Sequence, residues 1–168
     1  MRTLVKEIIN KEGESIELAG WVATRRDHGK IIFIDLRDRS GIAQSVFTPA
    51  AGEIYKLAET LRPEWVVKII GKVSRRPKGM ENPEIPTGDF EIQVEKLEVI
   101  NEAETPPIAI DTDGYEINEE VRMKYRYVDL RRPRLQKNLK MRAAVIKFIR
   151  DFLAEKGSIG KMNFLGNK

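Results

Sequence analysis

The sequence contains no cysteine and a single histidine, His28. The first absence excludes a disulfide framework and any cysteine metal centre, and it is compatible with a reducing compartment. The second excludes a histidine-rich metal site. No apolar run approaches the length needed to cross a bilayer, and the N-terminal Met-Arg-Thr-Leu-Val-Lys lacks the apolar centre of a signal peptide. These absences predict a soluble, cytoplasmic protein with no membrane partner. Gly-rich phosphate loops, metal-ligand clusters and nucleophile–base pairs are missing as well.

What is present is enough to build a core. The chain has 168 residues, 41% of them apolar, which suits one domain with an appendage or two small domains. The net charge of +4 is modest, but the charges are segregated. From Leu97 to Val121 there are eight acidic residues and no basic one; from Arg122 to Arg142 there are nine basic residues against Asp129 alone. Such segregation suits either an anionic partner or a solvated, charged helix face.

The stretch from Gly20 to Phe47 reads as three short strands and two turns. In its middle strand Ile32, Ile34 and Leu36 alternate with Phe33, Asp35 and Arg37. The first set forms a core face; the second puts an aromatic ring among charges on the open face. An outward aromatic ringed by arginines can stack a nucleobase and hold its phosphate. Alternatively, Phe33 packs under a loop.

Around this stretch, Leu4, Val5, Ile8 and Ile9 have helical spacing, stopped by Gly13. Strands are expected at Ile16–Thr24, Lys30–Asp38, Ile42–Phe47, Glu64–Ser74 and Asp89–Ile100, with a turn at Asp27–Gly29 and a helix at Ala50–Leu61. In the fifth strand Phe90, Ile92 and Val94 face in, while Asp89, Glu91, Gln93 and Glu95 face out. Arg75 to Gly88 holds three prolines and two glycines and reads as a long loop. Three strands, a helix and two strands is the order of an all-β OB-fold barrel, with its one helix between strands 3 and 4. Asn101 to Asn118 reads as a hinge, and Asn118 as the cap of a short helix. Pro133 opens a long C-terminal helix carrying an apolar stripe of Leu135, Leu139, Ile146, Ile149 and Leu153, which ends at Gly157. The expected boundaries are 1–102 for the barrel, 103–133 for the hinge, 134–157 for the helix and 158–168 for a tail.

Four motifs are specific enough to carry a resemblance. They are Trp21-Val, Arg25-Arg-Asp-His-Gly29, Phe33-Ile-Asp-Leu-Arg-Asp-Arg39 and Tyr125-Arg-Tyr-Val-Asp-Leu-Arg-Arg-Pro133. In this order they resemble the N-terminal part of bacterial-type aspartyl-tRNA synthetases, from Met1 to about Gly157. A related asparagine or lysine synthetase is the alternative within the family class; the pattern from Arg25 to Arg39 favours aspartate. The resemblance implies an anticodon-binding OB-fold, a hinge, and the first helix of a class II catalytic domain. It implies that Phe33 stacks on the middle anticodon base, Gln44 reads the first and Glu91 the third, while Arg26, Arg76 and Asn82 hold bases or backbone. His28, in the turn beside Arg26, would touch the first base and influence whether asparagine tRNA is accepted beside aspartate tRNA.

These roles suit the side chains. An amide offers donors and an acceptor to a purine edge, a carboxylate accepts from a cytosine amine, and unpaired anticodon bases expose their Watson–Crick edges. Taken without the resemblance, Gln44 and Glu91 read as ordinary strand polarity. Arg25, Arg75 and Lys78 are expected to steer phosphates, or else to sit in solvated loops.

After Gly157 the tail Ser-Ile-Gly-Lys-Met-Asn-Phe-Leu-Gly-Asn-Lys168 departs from the family pattern, and the later class II signatures are absent. The expectation is a synthetase truncated before its catalytic core. It would bind tRNA without charging it and need no cofactor of its own; the family uses ATP and Mg in the catalytic domain. Two other readings are a general single-strand-binding OB module and an interaction protein that uses the helix Arg134–Lys156 to pair with another subunit; a homodimer through the C-terminal helix is a further expectation.

Overall fold

The computed structural model describes residues 2–158. Two compact units emerge, divided between Pro106 and Pro107. Of the expected tail at 158–168, all but Ser158 lies outside the described residues.

The first unit is a closed five-stranded barrel: β1 (Ser15–His28), β2 (Ile31–Arg37), β3 (Ile42–Phe47), β4 (Val66–Arg75) and β5 (Phe90–Asn101), with α1 (Glu53–Thr60) between β3 and β4. The strand order is β1-β2-β3-β5-β4, closed by pairing of β4 with β1. All pairs are antiparallel except β3–β5. This is the expected OB-fold. The inward sets of the strands interlock: Ile16, Leu18 and Val22; Ile32, Ile34 and Leu36; Ala43 and Phe47; Val67, Ile69 and Val73; Phe90 and Ile92. Ala58 and Leu61 at the end of α1 cover this core, as do Val5 and Ile8 of a 3₁₀ helix over Val5–Asn10. Asp38 ties that helix to the β2–β3 turn, accepting from the Val5 N–H at 3.0 Å and from the Ser40 N–H at 2.6 Å. Burial would push the Asp38 carboxyl up, but these hydrogen bonds and those from the Ser40 hydroxyl and Gly41 outweigh it and hold it below its ordinary value.

Several boundaries depart from the sequence expectation: α1 begins at Glu53, after a 3₁₀ turn over Pro49–Ala51, rather than at Ala50, and three other departures have a local physical cause. Strand β1 does not stop at Thr24 but runs on to His28, because the ladder bonds backbone groups and is indifferent to the polarity of Arg25–His28. The turn shrinks to Gly29-Lys30, where Gly29 takes φ 64. Strand β4 begins at Val66 rather than Glu64, because Glu64 adopts φ 70, a left-handed conformation that breaks the strand. Glu64 is held there by its own backbone, with its N–H donating to the Val22 carbonyl at 2.7 Å, and by Arg37 Nη2, which donates to both carboxylate oxygens at 2.8 and 3.0 Å.

In β5 the register passes from Gly71↔Val94 to Ile70↔Lys96, leaving Glu95 as a bulge. The inward set shifts accordingly from Phe90, Ile92 and Val94 to Leu97 and Val99. Opposite the bulge the strands approach so closely that a Cβ on Gly71 would lie 2.4 Å from the Gln93 carbonyl oxygen. Gly71→Ala is expected to destabilise the barrel by about 1–3 kcal/mol, the range for overpacking. Urea unfolding followed by tryptophan fluorescence measures it; an unchanged midpoint would show that β5 yields at the bulge without strain.

The second unit is helical: α2 (Glu119–Lys124), α3 (Arg126–Asp129) and α4 (Pro133–Glu155). Asn118 caps α2 by accepting from the Glu120 N–H at 2.8 Å. Helix α4 ends in a Schellman motif: the Ser158 N–H donates to Leu153 and the Gly157 N–H to Ala154, both at 2.9 Å, with Gly157 at φ 79. The unit's centre is polar. Fully buried Asp129 accepts from Arg132 Nε at 2.6 Å, Arg126 Nη1 at 3.0 Å and Arg122 Nη2 at 3.2 Å. Arg132, also fully buried, donates to the Thr112 carbonyl at 2.8 Å. Of the apolar stripe on α4, Leu135 is buried, whereas Leu139, Ile146, Ile149 and Leu153 are 37–50% exposed.

Candidate nucleic-acid interface

The pleat decides which side chains share the open face of the barrel. Cross-strand partners lie on the same side of a sheet, so the pairs Arg26↔Phe33 and Phe33↔Val46 put these three residues in one row. The pairs Asp35↔Gln44 and Gln44↔Glu91 make a second row across β2, β3 and β5. Phe33 is half-buried. The edge of the His28 ring meets it, with centroids 5.7 Å apart and planes at 80°. The expected outward aromatic is therefore where the alternation put it, outside the core.

Beside this ring runs a hydrogen-bonded ribbon. Arg26 Nη2 donates to Asp35 Oδ1 at 2.8 Å and Oδ2 at 3.0 Å, and to Gln44 Oε1 at 3.3 Å. Gln44 Nε2 donates to Glu91 Oε2 at 3.2 Å. Gln93 Nε2 donates to Glu91 Oε1 at 2.7 Å. Burial pushes Asp35 above the ordinary carboxylate range, although Arg26 and Arg76 pull it down. Burial likewise raises Glu91, against the hydrogen bonds from Gln44 and Gln93 and the charge of Arg76. Burial also lowers the Arg76 guanidinium. The ribbon is thus a partly desolvated strip in which each charge leans on a neighbour.

Glu91 was expected to face out. It does lie on the open side, yet it is only 7% exposed, because Gln44 and Gln93 cover both its oxygens.

The same alternation separates each pair of adjacent arginines. Arg26 and Arg76 reach the open face, whereas Arg25 pairs with inward Ile34, and Arg75 with inward Phe90. Arg25 is committed to Asp27, with Nη2 at 2.6 Å from the carboxylate, and donates to the Glu59 carbonyl at the end of α1. Arg75 donates to Glu12 at 3.0 Å and lies over the Phe90 ring at 5.3 Å. The structure brings neither residue to the open face that carries Phe33. Lys78 is exposed on the β4–β5 loop. Asn82, in the same loop, uses its side-chain oxygen locally, accepting from the Glu84 N–H at 3.0 Å. This loop is well tied: Arg76 Nε donates to the Phe90 carbonyl at 3.1 Å and Thr87 Oγ1 to the Ile42 carbonyl at 2.5 Å. At Gly88 a Cβ would fall 1.7 Å from the Asn82 carbonyl oxygen.

Sequence reasoning missed Asp35 and Gln93 as members of the site. Period-two spacing could have found both, since Asp35 alternates with Phe33 and Gln93 with Glu91.

The assembled face offers a ring to stack on, two guanidinium groups, and amide and carboxylate groups whose remaining valences can read base edges. Among the described residues no group of three or more His, Asp or Glu is placed to hold a metal, and no helix is long and apolar enough to cross a membrane.

A closed five-stranded barrel carrying such a face defines a nucleic-acid-binding module, and the sequence agrees. Residues 16–100 match the OB-fold nucleic acid binding domain of the tRNA anti-codon type, and the chain belongs to that family. Residues 118–159 match the class II tRNA synthetases of the D, K and N type. Among curated proteins, the chain is 51% identical over 144 residues to the aspartate–tRNA(Asp/Asn) ligase of Rubrobacter xylanophilus, covering 86% of this chain and 24% of the relative. It is 53% identical over 148 residues to the ligase of the same name from Dictyoglomus turgidum, covering 88% and 25%. The chain thus spans about a quarter of the length of these relatives and matches their N-terminal part. Among solved structures, the asparaginyl-tRNA synthetase of Pyrococcus horikoshii superposes with a TM-score of 0.79 at 29% identity, over 94% of this chain and 35% of that one. The aspartyl-tRNA synthetase of Entamoeba histolytica shares the fold, with a TM-score of 0.82 at 18% identity, over all of this chain and 41% of that one.

Proposed function

We propose that the barrel binds the anticodon loop of aspartate tRNA, and of asparagine tRNA in a relaxed member, as the N-terminal part of an aspartate–tRNA ligase. The observation that carries this reading is Phe33 beside Arg26 and the ribbon that joins Asp35, Gln44, Glu91 and Gln93. Phe33 stacks the middle base, Gln44 takes the first and Glu91 the third. His28 borders the first base, and Arg26, Arg76 and Asn82 hold bases or backbone around them. The protein is cytoplasmic, where its tRNA is. The ligase reaction, with its ATP and Mg, belongs to the larger part of such an enzyme, and these residues carry out none of its steps; α4 is the first helix of that catalytic domain. Competition tests the reading: an aspartate anticodon stem-loop is expected to displace labelled stem-loop well before oligo-dT does at the same salt. Equal displacement would make the barrel a general single-strand binder.

A carboxylate is the acceptor that a cytosine amine needs. Glu91→Gln is therefore expected to relax third-base choice by about 5- to 150-fold, the worth of one base contact, while stem-loop binding persists. Unaltered discrimination among stem-loops changed at the third base would remove Glu91 from that role.

A second observation supports a homodimer. The apolar face of α4 leaves Leu139, Ile146, Ile149 and Leu153 37–50% exposed, and a second copy buries them. Sedimentation velocity at rising concentration is expected to show a dimer; a monomer throughout would end this part of the proposal.

A further inference from the structure

Gln44 sits between a cation and an anion. Its Oε1 accepts from Arg26 at 3.3 Å, and its Nε2 donates to Glu91 at 3.2 Å. Turning the amide over would set its NH₂ against the guanidinium and its carbonyl against the carboxylate, losing both hydrogen bonds and adding two repulsions. The direction of the amide is therefore fixed by its two charged neighbours, which are themselves held from behind. Asp35 grips Arg26 through both carboxylate oxygens, at 2.8 and 3.0 Å. Gln93 grips the Glu91 oxygen that Gln44 does not use, at 2.7 Å. The result is one continuous line from Asp35 through Arg26, Gln44 and Glu91 to Gln93, crossing four side-chain contacts and four neighbouring strands.

We propose that Asp35 and Gln93 are positioning residues for base selection: they hold Arg26 and Glu91, fix the direction of the Gln44 amide between them, and so make the choices at Gln44 and at Glu91 a joint decision. This rests on the anticodon reading above. With one Nε2 hydrogen given to Glu91, the second N–H and a lone pair on Oε1 are left to a base, in an order the ribbon sets. A wrong base at Glu91 that draws the carboxylate away releases the Gln44 amide, and the first base is then read less strictly. Burial raises both Asp35 and Glu91, so each carboxylate depends on its partners to stay charged.

The test is a cycle of stem-loop affinities: the cognate aspartate anticodon loop, versions changed at the first base, at the third, and at both. For the native chain the loss at both positions is expected to be smaller than the product of the single losses, by about threefold or more, as for groups sharing one hydrogen-bond network. In Gln93→Ala and in Asp35→Asn that deficit is expected to vanish and selectivity at both bases to fall. Gln93 is exposed and Asp35 lies outside the core, so circular dichroism is expected to show a folded barrel for both. If the native chain selects bases but either folded variant keeps the native deficit, the positioning role is overturned. If the native chain does not prefer the cognate loop over oligo-dT, the anticodon reading has failed instead.

Discussion

Phe33→Ala is expected to weaken binding of an aspartate anticodon stem-loop by on the order of 1–3 kcal/mol, the worth of one aromatic–base stack, without lowering the unfolding midpoint of the barrel. The ring belongs to the outward set of β2, opposite Arg26 and Val46, while the core is built by Ile32, Ile34 and Leu36 at 0–2% exposure. What the folded chain loses is an edge contact with His28 and the cover of a half-buried ring on the open face. Fluorescence anisotropy titrations at fixed salt, with thermal melts of the same samples, separate the two effects. A barrel that unfolds would mean the ring supports the core. Native affinity in a folded variant would mean no base stacks there.

The second large effect is on stability and confined to the helical unit. Asp129→Asn is expected to cost about 3–5 kcal/mol, because removing one partner of a buried ionic cluster leaves the remaining charge uncompensated. That charge is Arg132, fully enclosed and paired to Asp129 at 2.6 Å. Burial alone would raise the Asp129 carboxyl, but the hydrogen bonds and charges of Arg122 and Arg132 prevail and hold it below its ordinary value. A carboxyl lowered on folding contributes stability that is complete above its unfolded pKa and is lost as pH falls toward the folded one. Helical circular dichroism is therefore expected to melt earlier in Asp129→Asn at neutral pH, and the gap to the native chain to narrow in acid. The barrel, which shares none of these contacts, is expected to keep its own transition. Equal melts at neutral pH would show that the arginines find other partners.

The stretch Tyr125–Pro133 entered as a run of residues that resembles a family; its physical content appears only in three dimensions. Asp129, Arg126 and Arg132 from that run, with Arg122 from just before it, make one ionic cluster. Much of the barrel was legible earlier, because alternation of period two is a local signal. Ile32, Ile34 and Leu36 against Phe33, Asp35 and Arg37 needed only the sequence. The same signal failed where a strand breaks step: nothing local marks Glu95 as the bulge that hands the inward positions to Leu97 and Val99. It failed again at Glu64, whose left-handed backbone is imposed by Val22 and Arg37 from distant parts of the chain. Charge was the least legible property. Adjacent arginines look alike in sequence, yet Arg25 and Arg75 are spent on Asp27 and Glu12 while Arg26 and Arg76 serve the open face.

The placement of β5 governs the order in which the barrel can assemble. This last strand is inserted between β3 and β4, and β4 in turn pairs back to β1. A ribosome emitting the chain can release the β1–β2–β3 meander as a self-sufficient local hairpin array, but the cylinder cannot shut until Asn101 has emerged. Such distant pairings carry a high loop-closure cost before any contact rewards them, which makes folding slow compared with a helical bundle of equal length. In the interval, with β4 free to pair with β1, the edges of β3 and β4 that await β5 lie open to strand addition by other chains.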